Sequence, residues 1–129
     1  MKNIKTMIGS QIKQVGMAQE NVVNDITKVT LENAAGAEIA LSGDQSTGMY
    51  AKRGLIYNDG TISVGKKSTA IYLVDDGLGP VGTQGAGVSN NGTITLGDTS
   101  TGLYGLNNTE ISNDGKITAG NKSTGIFYS

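Results

Sequence analysis

The chain contains no cysteine, no histidine and no tryptophan, and its 129 residues include one proline and one phenylalanine. Without cysteine there is no disulfide framework and no thiolate chemistry. Without histidine the commonest general base and the commonest neutral metal ligand are both gone. The shortage of aromatic residues argues against a large aromatic-packed globular core. No apolar run approaches the ~18 residues that a membrane span needs. The start, Met1-Lys2-Asn3-Ile4, lacks the apolar core of a signal peptide, so an export signal is expected outside this sequence. Ten basic residues lie scattered against eleven acidic ones, for a net charge of −1. That balance gives no phosphate track for nucleic acid and no pull toward an anionic membrane.

Glycine is what the chain has in plenty, with 20 copies. They do not fall at every third position, which excludes collagen. They alternate with regularly spaced Ile, Val and Leu, which excludes a flexible low-complexity chain. Instead they mark a repeat. Four segments align without gaps: Gly43-Asp44-Gln45-Ser46-Thr47-Gly48-Met49-Tyr50, Gly65-Lys66-Lys67-Ser68-Thr69-Ala70-Ile71-Tyr72, Gly97-Asp98-Thr99-Ser100-Thr101-Gly102-Leu103-Tyr104 and Gly120-Asn121-Lys122-Ser123-Thr124-Gly125-Ile126-Phe127. Their first glycines stand 22, 32 and 23 residues apart. The unit is therefore 22–23 residues, with a surface loop inserted at 75–84, where turn formers and the lone Pro80 gather.

A second block precedes the last three segments. In it an Asn-Asp-Gly or Asn-Asn-Gly turn leads into Ile62-x-Val64, Ile94-x-Leu96 or Ile117-x-Ala119, with the two-residue period of a half-buried strand. One such coil cannot bury its apolar side alone. Stacked coils can, and the result is an all-β parallel β-helix. Four inward ladders follow: Ile56, Val88 and Ile111; Ile62, Ile94 and Ile117; Leu41, Val64, Leu96 and Ala119; Met49, Ile71, Leu103 and Ile126. Asn58, Asn90 and Asn113 share one position, where amides can bond up the stack. In the column Asp44, Lys66, Asp98 and Asn121, opposite charges meet on neighbouring coils. Asn91 separates Asp59 from Asp114.

Residues 31–129 form the regular coils. Residues 1–30 read as degenerate coils or as a capping segment. Ile4, Ile8, Ile12 and Val15 have helical spacing, but Gly9, Gly16 and the pairs Val22-Val23 and Val29-Thr30 weigh toward coils. Thr6-Met7-Ile8 lies 41 residues before Thr47-Gly48-Met49, close to two repeat lengths.

Asn-Asp-Gly-Thr-Ile followed by Gly-x-x-Ser-Thr-Gly-Met/Ile/Leu-Tyr resembles the repeats of type V autotransporter passengers, in particular fusobacterial outer-membrane adhesins, over about residues 31–129. The resemblance implies a right-handed β-helix, displayed at the cell surface and held to the outer membrane by a barrel beyond this sequence. It also implies a role in adhesion and virulence, with a host-cell or bacterial surface protein or glycan as partner. No direct membrane insertion of these residues is expected.

Candidate sites are few. Tyr50, Tyr72, Tyr104 and Phe127 alternate with the inward ladder and are expected to project as one aromatic column. Such a column contacts a ligand or simply stabilises adjacent coils. Thr61-x-Ser63, Thr93-x-Thr95 and Lys116-x-Thr118 form a polar strip whose regularity suggests ice binding, though Glu38 and Lys116 interrupt it. The rival class is a carbohydrate-active β-helix of the polysaccharide lyase, hydrolase or phage-tailspike type. That class uses clustered carboxylates, often with Ca²⁺. Here the only adjacent acids are Asp75 and Asp76, expected to be solvated on the loop. The residues imply no catalytic group, no metal and no cofactor, hence no enzyme. An open last rung, ending Ile126-Phe127-Tyr128-Ser129, favours end-to-end self-association.

Overall fold

The computed structural model describes residues 1–20, 30–75, 86–106 and 109–129. They form fifteen strands in three parallel five-stranded sheets, wound as the five coils of a right-handed parallel β-helix. The first sheet holds β1 (Lys2–Asn3), β4 (Thr30–Asn33), β7 (Leu55–Asn58), β10 (Ala86–Asn90) and β13 (Thr109–Asn113). The second holds β2 (Thr6–Gly9), β5 (Glu38–Leu41), β8 (Thr61–Val64), β11 (Thr93–Leu96) and β14 (Lys116–Thr118). The third holds β3 (Val15–Glu20), β6 (Thr47–Lys52), β9 (Thr69–Val74), β12 (Thr101–Leu106) and β15 (Thr124–Tyr128). Each coil takes one strand from each sheet in turn.

Register is carried by identical positions. Ile39, Ile62, Ile94 and Ile117 stack in the second sheet, and Leu31, Ile56, Val88 and Ile111 in the first. Met17, Met49, Ile71, Leu103 and Ile126 stack in the third. The ladder residues of the middle three coils are essentially inaccessible to solvent, and they form one continuous core. At the last coil the same ladder emerges: Ile126 stands in register with Leu103 but is 46% exposed, β15 being the edge strand of its sheet among the described residues. Ala119, too, is exposed and lies just past β14.

Two features explain why the turns repeat. At the corner between the first two sheets, glycine is required by proximity. A Cβ on Gly92 would run into the Gly60 carbonyl oxygen, and one on Gly115 into that of Gly92. At the corner before the third sheet, Lys13, Gln45, Lys67, Thr99 and Lys122 all have φ between 52° and 60°. Gln45, Lys67 and Thr99 each donate their N–H to a carbonyl of the following coil, at 2.8–2.9 Å. The left-handed strain is thus held by hydrogen bonds between coils.

Residues 2–20 form β1–β3 and contain no helix. The helix-like spacing of Ile4, Ile8, Ile12 and Val15 has a different cause: all four lie on the outside of the first coil and are more than half exposed. The 41-residue correspondence between Thr6-Met7-Ile8 and Thr47-Gly48-Met49 is also overturned. Met7 pairs with Ile39, and it is Met17 that pairs with Met49, both 32 residues apart. The expected loop 75–84 lies outside the described residues from position 76 onward. Asp75 itself is buried, not solvated, and its N–H donates to the Leu106 carbonyl at 3.1 Å.

Candidate functional site

Strands β6, β9, β12 and β15 bring Tyr50, Tyr72, Tyr104 and Phe127 into register on the outer face of the third sheet. Ring centroids are 5.6 Å apart for Tyr50–Tyr72, 4.9 Å for Tyr72–Tyr104 and 4.7 Å for Tyr104–Phe127. The upper two pairs are stacked, with interplanar angles of 9° and 13°, while Tyr50 tilts by 34°. The sequence therefore located the column correctly. Its geometry shows what it can do: where rings stack, each uses its face on its neighbour and offers solvent mainly its edge. Such pairs each contribute about 0.5–1.5 kcal/mol beyond area burial.

The lower end differs. In the first coil the equivalent position is Ala18, so the column stops above it. An open concavity of about 460 Å³ lies there, lined by Val15, Ala18, Thr47, Tyr50, Tyr72 and Val74. The Tyr50 hydroxyl donates to Glu20 Oε1 at 3.2 Å. Burial, then the nearby Glu20 carboxylate, raises the Tyr50 phenol above its ordinary value. Burial, then Tyr104, raises that of Tyr72. Both phenols thus remain protonated donors at neutral pH.

Carboxylates elsewhere are tied into the stack. Asp59 Oδ1 accepts from Asn91 Nδ2 at 3.0 Å, and Glu32 faces Lys2 at 3.8 Å. In the column Asp44, Lys66, Asp98 and Asn121, the expected ion pairing is replaced by a bond to backbone: Asp98 Oδ1 accepts the Asn121 N–H at 2.8 Å. Among the described residues, no three Asp, Glu, His or Cys side chains gather as a metal site would. The threonine and serine strip of the second sheet is in register, with Thr93 beside Thr61 and Lys116, and Thr95 beside Ser63 and Thr118.

Two internal polar ladders join the coils. The asparagine ladder is longer than the repeat alone suggests, running Asn3, Asn33, Asn58, Asn90, Asn113 with amide-to-carbonyl distances of 2.7–2.9 Å. The serine ladder was missed in the sequence. Ser46, Ser68 and Ser100 each donate a backbone N–H to the serine hydroxyl of the next coil at 3.0–3.1 Å, ending on Ser123. The signal was present, since serine occupies the same place in all four aligned segments.

Three in-register parallel sheets around one apolar core, with hydrogen-bonded side-chain ladders, define the protein as a parallel β-helix of the pectate lyase-like kind. More particularly, the family model of the BigA third pectate lyase-like domain matches residues 2–125, and the chain belongs to that family. Domains of this type belong to bacterial surface proteins. No curated protein and no solved structure matches the chain.

Proposed function

We propose that the chain is a non-catalytic, rod-forming segment of a bacterial surface protein, displayed outside the cell. The observation that carries this reading is the unbroken asparagine ladder through all five coils, each link within 2.9 Å. Each coil repeats the one below it, so added coils lengthen the structure by about 5 Å apiece without changing its cross-section. A cross-section held by buried amides, buried serines and a continuous aliphatic core resists bending, as a spacer must.

The finer reading is a passenger segment of an outer-membrane autotransporter adhesin, reached by resemblance of the repeat. Its partner would be a protein or glycan on a host or bacterial cell, met either at a distant tip or on the sides of these coils. The aromatic column then serves chiefly as a brace. Support for bracing comes from Tyr72 and Tyr104, each of which has a ring neighbour on both sides.

The test is an exchange in the parent surface protein. These coils are replaced by the same number of β-helix coils of unrelated surface sequence, or deleted. The rod reading expects the replacement to retain cell adhesion and the deletion to shorten the reach of the tip in electron micrographs. Adhesion lost on replacement would show that the segment itself binds. Cleavage of polygalacturonate by the purified chain would contradict the non-catalytic reading.

A further inference from the structure

Among the described residues, Tyr72 and Tyr104 have a ring neighbour on both sides, whereas Tyr50 has one only on the side of Tyr72. On its other side the row continues into the first coil as Ala18, which is exposed. The rings above follow one another at 4.7–5.6 Å. Ala18 therefore stands where one more ring would extend the column. The open concavity of about 460 Å³ lies at this place, between Tyr50, Tyr72, Ala18 and the aliphatic Val15 and Val74. That volume falls within the range of about 300–1,000 Å³ typical of ligand sites.

The lining decides what fits. None of its side chains carries a charge, and Thr47 and the tyrosine hydroxyls are its only polar side-chain groups. The Tyr50 hydroxyl is already engaged with Glu20 Oε1 at 3.2 Å, a contact that ties the ring to the first coil. A pyranose, with hydroxyls around its rim, would find few partners here. A flat apolar ring finds what the tyrosines of the column find, the face of another ring one rung away. The apolar surface also continues past the concavity. Val15 is 53% exposed, and Ile12, three residues earlier on the same coil, is 65% exposed. An isolated aryl compound would leave that strip uncovered. A peptide with an aliphatic residue beside its aromatic one covers both.

We propose that the lower end of the aromatic column docks an aromatic side chain of a partner protein, presented beside an aliphatic residue. The docked ring takes the next place in the stack, over Ala18 and against Tyr50. The aliphatic neighbour lies on Val15 and Ile12. The site is shallow, so one contact binds weakly, and display of many copies on a surface raises the effective strength by multivalency. The inference does not rest on the rod reading, because it concerns one side of the isolated chain.

The experiment is a methyl NMR titration of the alanine- and isoleucine-labelled chain. The probes are acetyl-Ile-Phe-amide, acetyl-Ile-Leu-amide, which lacks the ring, and methyl β-glucopyranoside. Acetyl-Ile-Phe-amide should move the Ala18 methyl upfield in a saturable manner, the ring-current mark of a ring seated over it, and should shift Ile12 as well. Ala18→Phe supplies the additional ring from the chain itself, and Tyr50→Ala removes the stacking face. Each should weaken binding, read at Ile12, by about threefold to tenfold, the equivalent of one ring contact. Tyr50→Phe, which keeps the ring, should retain it. Circular dichroism and melting check that each variant is folded; if Tyr50→Ala is not, Ala18→Phe, at an exposed position, decides alone. Three results would each overturn the proposal: no saturable shift of Ala18 with acetyl-Ile-Phe-amide at millimolar concentration, binding unchanged in Ala18→Phe, or either of the other probes binding as tightly as acetyl-Ile-Phe-amide.

Discussion

Asn58 donates its amide N–H to Asn90 Oδ1 at 2.7 Å, and both side chains are wholly buried. The pair sits mid-ladder, with Asn33 donating to Asn58 and Asn90 donating to Asn113, both at 2.8 Å. Removing the Asn58 amide therefore leaves buried Asn90 Oδ1 without this donor and Asn33 Nδ2 with the Thr61 carbonyl, at 3.0 Å, in place of two acceptors.

Asn58→Ala should accordingly destabilise the fold by about 2–4 kcal/mol, one to two times the cost of a single orphaned polar group. Asn113→Ala, at the exposed end of the same ladder, should cost less than about 1 kcal/mol. Urea denaturation of both variants measures the difference. Equal losses would mean that the ladder does not carry load along its length.

The apolar core gives a parallel contrast within one strand. Ile94 is fully buried between Ile62 and Ile117, while Thr93 faces outward beside Thr61 and Lys116. Ile94→Ala should cost about 2–4 kcal/mol. Thr93→Ala should cost under about 1 kcal/mol. The same denaturation experiment reads both.

The turns separate sterics from backbone conformation. Gly92 must be glycine because the Gly60 carbonyl occupies the space of a Cβ. Gly92→Ala should therefore destabilise by about 1–3 kcal/mol, as overpacking does. Lys67 has φ 52°, a conformation glycine adopts freely. Lys67→Gly should be neutral or stabilising by up to about 1 kcal/mol, which a thermal melt resolves as an unchanged or raised Tm.

Alkaline pH should weaken the aromatic column. Burial raises the phenols of Tyr50 and Tyr72 above their ordinary 10.0, with Glu20 adding to the rise at Tyr50. The folded state then holds these protons more tightly than the unfolded state does. Their contribution to stability is complete below pH 10.0 and is lost as pH rises through the raised values. Tm should fall across that window, and Tyr50→Phe with Tyr72→Phe should reduce the fall. Tyrosinate absorbance during the same titration should lose its latest component in the double variant.

Most of this architecture is legible in the sequence because a β-helix writes its cross-section once per coil. Ile62, Ile94 and Ile117 announce a ladder, and Tyr50, Tyr72, Tyr104 and Phe127 announce a column, by spacing alone. What the spacing could not show was three-dimensional crowding. The glycine of Asn-Asn-Gly reads as a flexible turn residue, but at Gly92 it is the carbonyl of the coil below that excludes a side chain. The first coil was misaligned because its outward positions carry Ile8 and Val15, where later coils place small or polar residues, Ala40, Ser63 and Thr95 in the row of Ile8 and Thr47 and Thr69 in the row of Val15. A hydrophobic pattern that marks the inside elsewhere marks the outside there.

The central claim is the in-register stack, and methyl NOESY on an isoleucine- and methionine-labelled sample tests it most directly. The account predicts contacts that run in single steps, Met7 to Ile39, Ile39 to Ile62, Ile62 to Ile94 and Ile94 to Ile117. It also predicts Met17 to Met49 and Met49 to Ile71. Contact of Ile62 with Ile117 in the absence of contact with Ile94, or of Met7 with Met49 in place of Ile39, would contradict it.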